Sequence, residues 1–146
     1  MPTSSTVLID DRLLVDHLLG RRLPRRKPIF TTTYWYYRAG RAAVAGGTGH
    51  LSGPFQALPP AEQAQAIASL LTLPAHIGLP APRDLVPAMI AVSRRHARLN
   101  LLNIEAVAAA QLLDAELWLS DAAARGVLAD VLDTERIAWK VLSIEQ

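Results

Sequence analysis

The sequence predicts an α/β fold with three layers, in which a mostly parallel sheet of four or five strands lies between helices. Strand-like and helix-like segments alternate along the chain, which is typical of parallel sheets with helical crossovers. The apolar runs "VLI" and "LWL" do not alternate with polar residues, as expected for strands that are buried on both faces. The length of 146 residues suits a single domain, residues 1–146, with a core of its own.

Each strand is predicted from a short run of β-branched, aromatic or aliphatic residues. The predicted strands are Thr6–Asp10, Ile29–Trp35, Ala115–Asp121 and a final strand or extended tail at 136–142, with a short additional strand within 73–82.

The helices are predicted from apolar residues at helical spacing. They cover residues 11–20, 36–45, 60–72, 83–99, 103–114 and 122–133. Gly20 suits a helix end, and Pro60 suits a first helical turn. Pro87 must lie in the first turn of its helix or kink it. The glycine-rich segment 46–54 lacks the lysine and the strand-to-helix setting of a phosphate-binding loop, so it is predicted to be a connection.

Cysteine is absent, which excludes disulfides, thiolate metal sites and cysteine catalysis and indicates a reducing compartment. The opening residues "MPTSST" do not resemble a signal peptide, and no apolar run approaches the roughly 20 residues of a membrane helix. We therefore expect a soluble protein of the cytoplasm.

The basic residues are concentrated in the first third of the chain. Eight of the fifteen lie between Arg12 and Arg41, whereas from Leu101 onward eight acidic residues face three basic ones. The segment "RRLPRRK", residues 21–27, carries five of the cations. Such a segment could contact RNA phosphates or an acidic protein, or it could be a solvated loop.

Two of the predicted strands, far apart in the chain, end on an aspartate: Asp10 and Asp121. The carboxyl ends of parallel strands meet at one edge of the sheet, where ligands bind in such folds. Each aspartate alone would also make an ordinary polar strand end or helix cap. Together they predict the beginning of a metal site.

The order of these segments resembles that of the PIN-domain family, the fold of VapC-type toxin ribonucleases. The stretch "VLIDDRLLVDHLL" resembles the first strand and helix of the family, and "AVSRRHARLNLLNIEAVAAAQLLDAELWLSD" resembles its central signature. The resemblance extends over nearly the whole chain. It implies metal-dependent cleavage of RNA, in which three or four carboxylates hold Mg²⁺ or Mn²⁺ and the metal activates a water.

The resemblance places Asp10 and Asp121 at the first and last acidic positions of the family. The second position, a glutamate in the family, falls on Tyr37 or Arg38, and the third, an aspartate, falls on Asn103. Asn103 offers a carbonyl oxygen without a charge. If Arg38 points inward, it would repel a cation and pair with an aspartate.

Two acidic neighbours could compensate for the missing carboxylates. Glu105 lies about 200° around a helix from Asn103, unless the helix start is shifted. Asp11, as a strand residue, would point away from Asp10. The candidate catalytic residues are Asp10, Asp121, Asn103 and Glu105, with Asp10 and Asp121 as metal ligands; the candidate nucleic-acid contacts are Arg21, Arg22, Arg25, Arg26, Lys27 and Arg38.

Three functions are compatible with these residues. The first is a degenerate PIN-like domain with weak or no nuclease activity, which binds RNA or a protein partner. The second is an active Mg²⁺- or Mn²⁺-dependent endoribonuclease of the toxin type. The third is a non-enzymatic module for an acidic protein such as an antitoxin-like peptide. The resemblance also implies a homodimer, with residues 34–45 as the candidate surface. The direction of Arg38 separates the first function from the second.

Overall fold

The computed structural model describes residues 6–20, 27–45 and 51–142. Within these residues, five strands form one sheet of order β3-β2-β1-β4-β5, and every neighbouring pair is parallel. The strands are β1 Thr6–Ile9, β2 Ile29–Phe30, β3 Ile77–Gly78, β4 Ala115–Leu119 and β5 Trp139–Val141. The predicted α/β fold with a central parallel sheet is confirmed.

Eight helices flank this sheet within the described residues. They are α1 Asp11–Leu18, α2 Thr33–Ala45, α3 Gly53–Gln56, α4 Pro60–Leu71, α5 Pro82–Arg95, α6 Leu101–Leu113, α7 Asp121–Ala124 and α8 Val127–Thr134. The single helix predicted for residues 122–133 is therefore wrong. Gly126 adopts an extended backbone conformation, which ends one helix and starts the next.

The two faces of the sheet belong to two separate apolar clusters. Val7 and Ile9 of β1 pack in the cluster beneath α1, α2 and α4, whereas Leu8 packs in the cluster beneath α5, α6 and α8. In β4, Trp118 joins the first cluster and Leu117 joins the second. Successive side chains point to opposite faces, so continuous apolar runs are required where helices cover both faces.

The second strand is shorter than the predicted Ile29–Trp35, because β2 ends at Phe30 and α2 begins at Thr33. Two threonine hydroxyl groups explain the difference. The Thr31 hydroxyl donates to the Ile9 carbonyl at 2.8 Å, and the Thr32 hydroxyl accepts from the Trp35 N–H at 3.0 Å. The second bond caps the first turn of α2, so β-branched residues serve here as helix starters.

Two glycines occupy positions where a larger residue would not fit the backbone or its surroundings, and one proline lies within a helix. Gly20 follows α1 with a φ of 93°, a conformation that favours glycine. A Cβ atom at Gly78 in β3 would lie 2.6 Å from Cδ2 of Phe30, so the aromatic ring needs glycine beside it. Pro87 lies inside α5, beyond the first turn.

None of the helices among the described residues is long and apolar enough to cross a membrane.

Candidate functional site

The carboxyl ends of β1 and β4 lie side by side at one edge of the sheet. The two strands are parallel neighbours, with Ile9 opposite Trp118. The residues that follow them, Asp10 and Ser120, are in direct contact across this edge. The prediction that the two strand ends share one edge is confirmed.

Asp10 is fully buried, and both of its carboxylate oxygens accept hydrogen bonds from the protein. Oδ1 accepts from the Leu13 N–H at 2.9 Å, which caps α1. Oδ2 accepts from the N–H of Ser120 at 2.9 Å and from its hydroxyl at 2.6 Å. Burial raises the pKa of Asp10 to about 6, the neighbouring charge of Asp11 adds to the effect, and the hydrogen bonds oppose it. Asp10 therefore ties α1 and β1 to the end of β4.

A cleft of about 210 Å³ opens in front of this contact. Its walls come from α2, α7 and the starts of α1, α6 and α8, together with Ser120 after β4. The lining residues are Asp11, Trp35, Arg38, Leu102, Asn103, Ser120, Ala122, Ala123, Gly126, Val127 and Leu128. Asp11, Arg38 and Asn103 supply the charged and amide groups of this cleft.

Asp11, rather than Asp10, presents a carboxylate to the cleft. Its Oδ2 lies 3.3 Å from Nε of Arg38, and its Oδ1 accepts from the Arg12 N–H at 2.8 Å. Burial raises the pKa of Asp11, and the guanidinium of Arg38 partly offsets this rise. The expectation that Asp11 is a strand residue is wrong, because β1 ends at Ile9 and Asp11 is the first residue of α1. Strand alternation no longer applies at that position.

Asn103 lines the cleft from the first turn of α6, where its N–H donates to the Asn100 side chain at 2.9 Å. Glu105 does not join it. The Glu105 carboxylate is buried and accepts from the Tyr34 N–H at 2.9 Å, at the start of α2. α6 begins at Leu101, two residues before the predicted start, but this shift does not bring Glu105 into the cleft, because Glu105 is not among the lining residues.

Glu105 instead lines a second cavity of about 400 Å³, between α2, α5 and α6. Thr33, Tyr34, Tyr37, Met89 and Leu101 complete this mostly apolar cavity.

Asp121 is the exposed first residue of α7. It is not among the residues that line the cleft; the two alanines that follow it are. The structure thus brings Asn103 into the cleft, places Asp10 behind it, and leaves Asp121 outside the set of lining residues. Asp11 is the site residue that the sequence reasoning set aside. The signal that could have identified it is the strong helix pattern that begins directly after Asp10.

The candidate nucleic-acid contacts lie in two different places. Arg38 faces the cleft at the carboxyl edge of the sheet. Lys27 is half-buried and lies two residues before β2, which puts it at the amino edge. The remaining candidates, Arg21, Arg22, Arg25 and Arg26, lie outside the described residues.

The residues of the cleft do not fit a catalytic magnesium. Among residues 6–20, 27–45 and 51–142, no group of three histidine, cysteine, aspartate or glutamate side chains could hold a metal ion. Mg²⁺ needs closely spaced oxygen ligands, at least one or two of them carboxylates. Here the Asp11 carboxylate is already neutralised by Arg38, and both Asp10 oxygens are occupied by backbone and hydroxyl donors.

Comparison with known proteins identifies the architecture. A chain of VapBC-1 from nontypeable Haemophilus influenzae superposes with a TM-score of 0.53, covering 93% of this chain and 97% of that chain at 10% sequence identity. The fold is PIN-like. No protein-family model and no curated protein matches the sequence. The PIN-like fold therefore rests on the sheet order, its flanking helices and this structural neighbour.

Two further polar clusters lie outside the cleft. Glu135 accepts from Arg95 at 2.9 Å and 3.1 Å and from Gln111 at 2.6 Å, and it contacts His96 Nε2 at 2.8 Å. The hydrogen bond from Arg95, followed by that from His96, lowers the pKa of Glu135 to about 2. This cluster fastens the end of α8 to α5 and α6.

The second cluster is a pair of histidines. Nε2 of His17 in α1 lies 2.9 Å from Nε2 of His76, which precedes β3. Burial lowers the pKa of His17, and His76 lowers it further.

Proposed function

We propose that this chain is a degenerate PIN-like domain, with weak or no nuclease activity, that works by binding RNA or a protein partner. The observation that carries the proposal is the ion pair between Arg38 and Asp11 inside the cleft, at 3.3 Å. A guanidinium placed there occupies and neutralises the position that a divalent cation would need. Asn103 provides an amide where the family resemblance expects a carboxylate.

The experiment compares cleavage of labelled RNA by the wild type and by Asp11→Asn, each with Mg²⁺ and then with Mn²⁺. We expect no cleavage above background by either protein, because neither has a set of carboxylates to hold the metal. Asp84→Asn is the matched control, since Asp84 is an exposed aspartate in the first turn of α5. Metal-dependent cleavage by the wild type that Asp11→Asn abolishes and Asp84→Asn retains would disprove the proposal.

The second candidate is an active Mg²⁺- or Mn²⁺-dependent endoribonuclease of the toxin type. It is favoured by one observation: Asp11 and Asn103 line the same cleft at the carboxyl edge of the sheet. Calorimetric titration with Mn²⁺ separates this candidate from the first, because a catalytic cation must bind. A metal-binding heat that disappears in Asp11→Asn would favour the nuclease.

A protein partner is supported by the second cavity, next to α2. Tyr37 and Leu101, two of its lining residues, are 60% and 56% exposed. We propose that this face receives a second copy of the chain or an antitoxin-like peptide, and that the protein acts in the cytoplasm. Sedimentation of the wild type and of Tyr37→Glu tests the homodimer. A mass that Tyr37→Glu leaves unchanged would remove this face from the dimer.

A further inference from the structure

We infer that the cleft binds a phosphate group directly, without a metal. This inference rests on the proposed loss of the metal site and names the ligand chemistry that replaces it. The argument depends on the balance of hydrogen-bond donors and acceptors in the cleft. Cation sites present mainly oxygen acceptors, whereas anion sites present mainly N–H donors.

Arg38 supplies the largest group of donors. Its Nε contacts Asp11, and no hydrogen bond from either of its terminal Nη atoms occurs within the described residues. The side chain is 40% exposed and lines the cleft. A guanidinium presents its N–H groups as a planar fork that matches two oxygens of a phosphate.

Asn103 adds a side-chain amide on another wall. Its backbone N–H is bonded to Asn100, and no hydrogen bond of its side-chain amide occurs within the described residues. The amide can therefore turn its two N–H groups toward the cleft. As a neutral residue, it removes the negative charge that a carboxylate would present to an anion.

The start of α8 also favours a negatively charged ligand in the cleft. Gly126 is the N-cap of this eight-residue helix and gives it no side-chain cap. The Gly126–Leu128 segment lines the cleft, so the start of α8 lies beside it. Helix starts favour negative charge, and here this preference strengthens a site that Arg38 and Asn103 already define.

Asp11 is the one acidic residue that lines the cleft, and it gives the inference its sharpest test. Its negative charge repels an incoming phosphate and also engages Arg38. Replacing it with asparagine keeps an oxygen for the Arg12 N–H and removes the charge. A phosphate site should therefore bind more tightly in Asp11→Asn, whereas a cation site should lose its ligand. The two alternatives predict changes of opposite sign.

The experiment is calorimetric titration with inorganic phosphate and with 5′-AMP, in EDTA, for the wild type and three variants. We expect binding by the wild type, about tenfold or greater weakening in Arg38→Gln, and tighter binding in Asp11→Asn. Arg41→Gln is the matched control, because Arg41 is an exposed arginine of α2 that does not line the cleft. We expect its affinity to stay within about twofold of the wild type.

Equal affinities for the two ligands would identify the free phosphate group as sufficient, and tighter binding of 5′-AMP would identify a nucleotide. The inference is overturned by an absence of heat with both ligands at millimolar concentration. Equal weakening in Arg38→Gln and Arg41→Gln would also overturn it, as would weaker binding in Asp11→Asn. If Arg38→Gln does not fold, the direction of the change in Asp11→Asn decides alone.

Failure of this inference is distinguishable from failure of the proposed function. RNA cleavage that requires a metal contradicts the proposed function, whatever the result with phosphate. No cleavage together with no phosphate binding contradicts the inference alone.

Discussion

Replacing Asp10 with alanine should destabilise the fold, and the loss should grow as the pH falls from 7 to 5. The carboxylate caps α1 through Leu13 and accepts two hydrogen bonds from Ser120. Loss of a helix cap costs about 1 kcal/mol. A buried Ser120 N–H without an acceptor costs about 1–3 kcal/mol more. Relief of the buried charge offsets part of this cost at pH 7, so we expect a net loss of about 1–3 kcal/mol there.

The pH dependence follows from the raised pKa of Asp10. Because its folded pKa of about 6 lies above the unfolded value near 3.8, the folded protein takes up a proton that the unfolded chain does not. This contribution to stability is complete below the unfolded pKa and is lost as pH rises through the folded pKa. Between pH 7 and pH 5 the wild type should therefore gain about 1.4 kcal/mol relative to Asp10→Ala.

Urea denaturation of both proteins at pH 7 and pH 5 measures these differences. Asp84→Ala is the control, because it removes an exposed aspartate in the first turn of another helix, α5. A stability gap for Asp10→Ala that narrows on acidification would refute the reasoning. So would a loss at pH 7 no larger than that of the control.

Three further changes test other parts of the structure. The double change Arg38→Glu with Asn103→Asp should create a Mn²⁺ site beside Asp11, visible as a calorimetric heat absent from the wild type; no heat would mean that the cleft lacks the right spacing. Glu135→Gln should cost about 1 kcal/mol in urea denaturation at neutral pH, because Glu135 has a lowered pKa. That difference should be present above pH 4.5 and decline as pH falls toward about 2; a difference that persists in strong acid would contradict the assignment. Gly78→Ala should destabilise the fold by about 1–3 kcal/mol through collision with the ring of Phe30, and an unchanged melting temperature would show that the ring moves aside.

The sequence predicted the sheet well because burial on both faces leaves a strong signal. The runs in β1 and β4 are apolar at the positions that helices cover on the two faces of the sheet. The alternation of strands and helices along the chain indicates that the strands are parallel. The end of β2 could not be predicted in the same way. Thr31 and Thr32 favour strands by local preference, and only contacts with Ile9 and Trp35 turn them into the start of α2.

The candidate site was predicted at the level of the sheet edge but not at the level of single side chains. Parallel pairing of β1 with β4 is enough to bring their ends together. Which aspartate enters the cleft depends on whether α1 begins at residue 10 or residue 11, and a shift of one residue redirects the carboxylate. The pairing of Arg38 with Asp11 depends on how α2 packs against α1, and sequence spacing does not contain that information.

The contact between α1 and the segment before β3 depends on where the hydrogens of His17 and His76 are bound. Two imidazole nitrogens 2.9 Å apart can share one hydrogen but not two, so both rings cannot be fully protonated in this geometry. Nδ1 of His17 is buried without a partner among the described residues, and a bare lone pair is cheaper to bury there than an N–H. A hydrogen on Nε2 of His17 and on Nδ1 of His76 is the tautomer pair that fits both observations. Nitrogen-15 chemical shifts of the two rings would distinguish the possible tautomers, and protonation of both rings should open this contact.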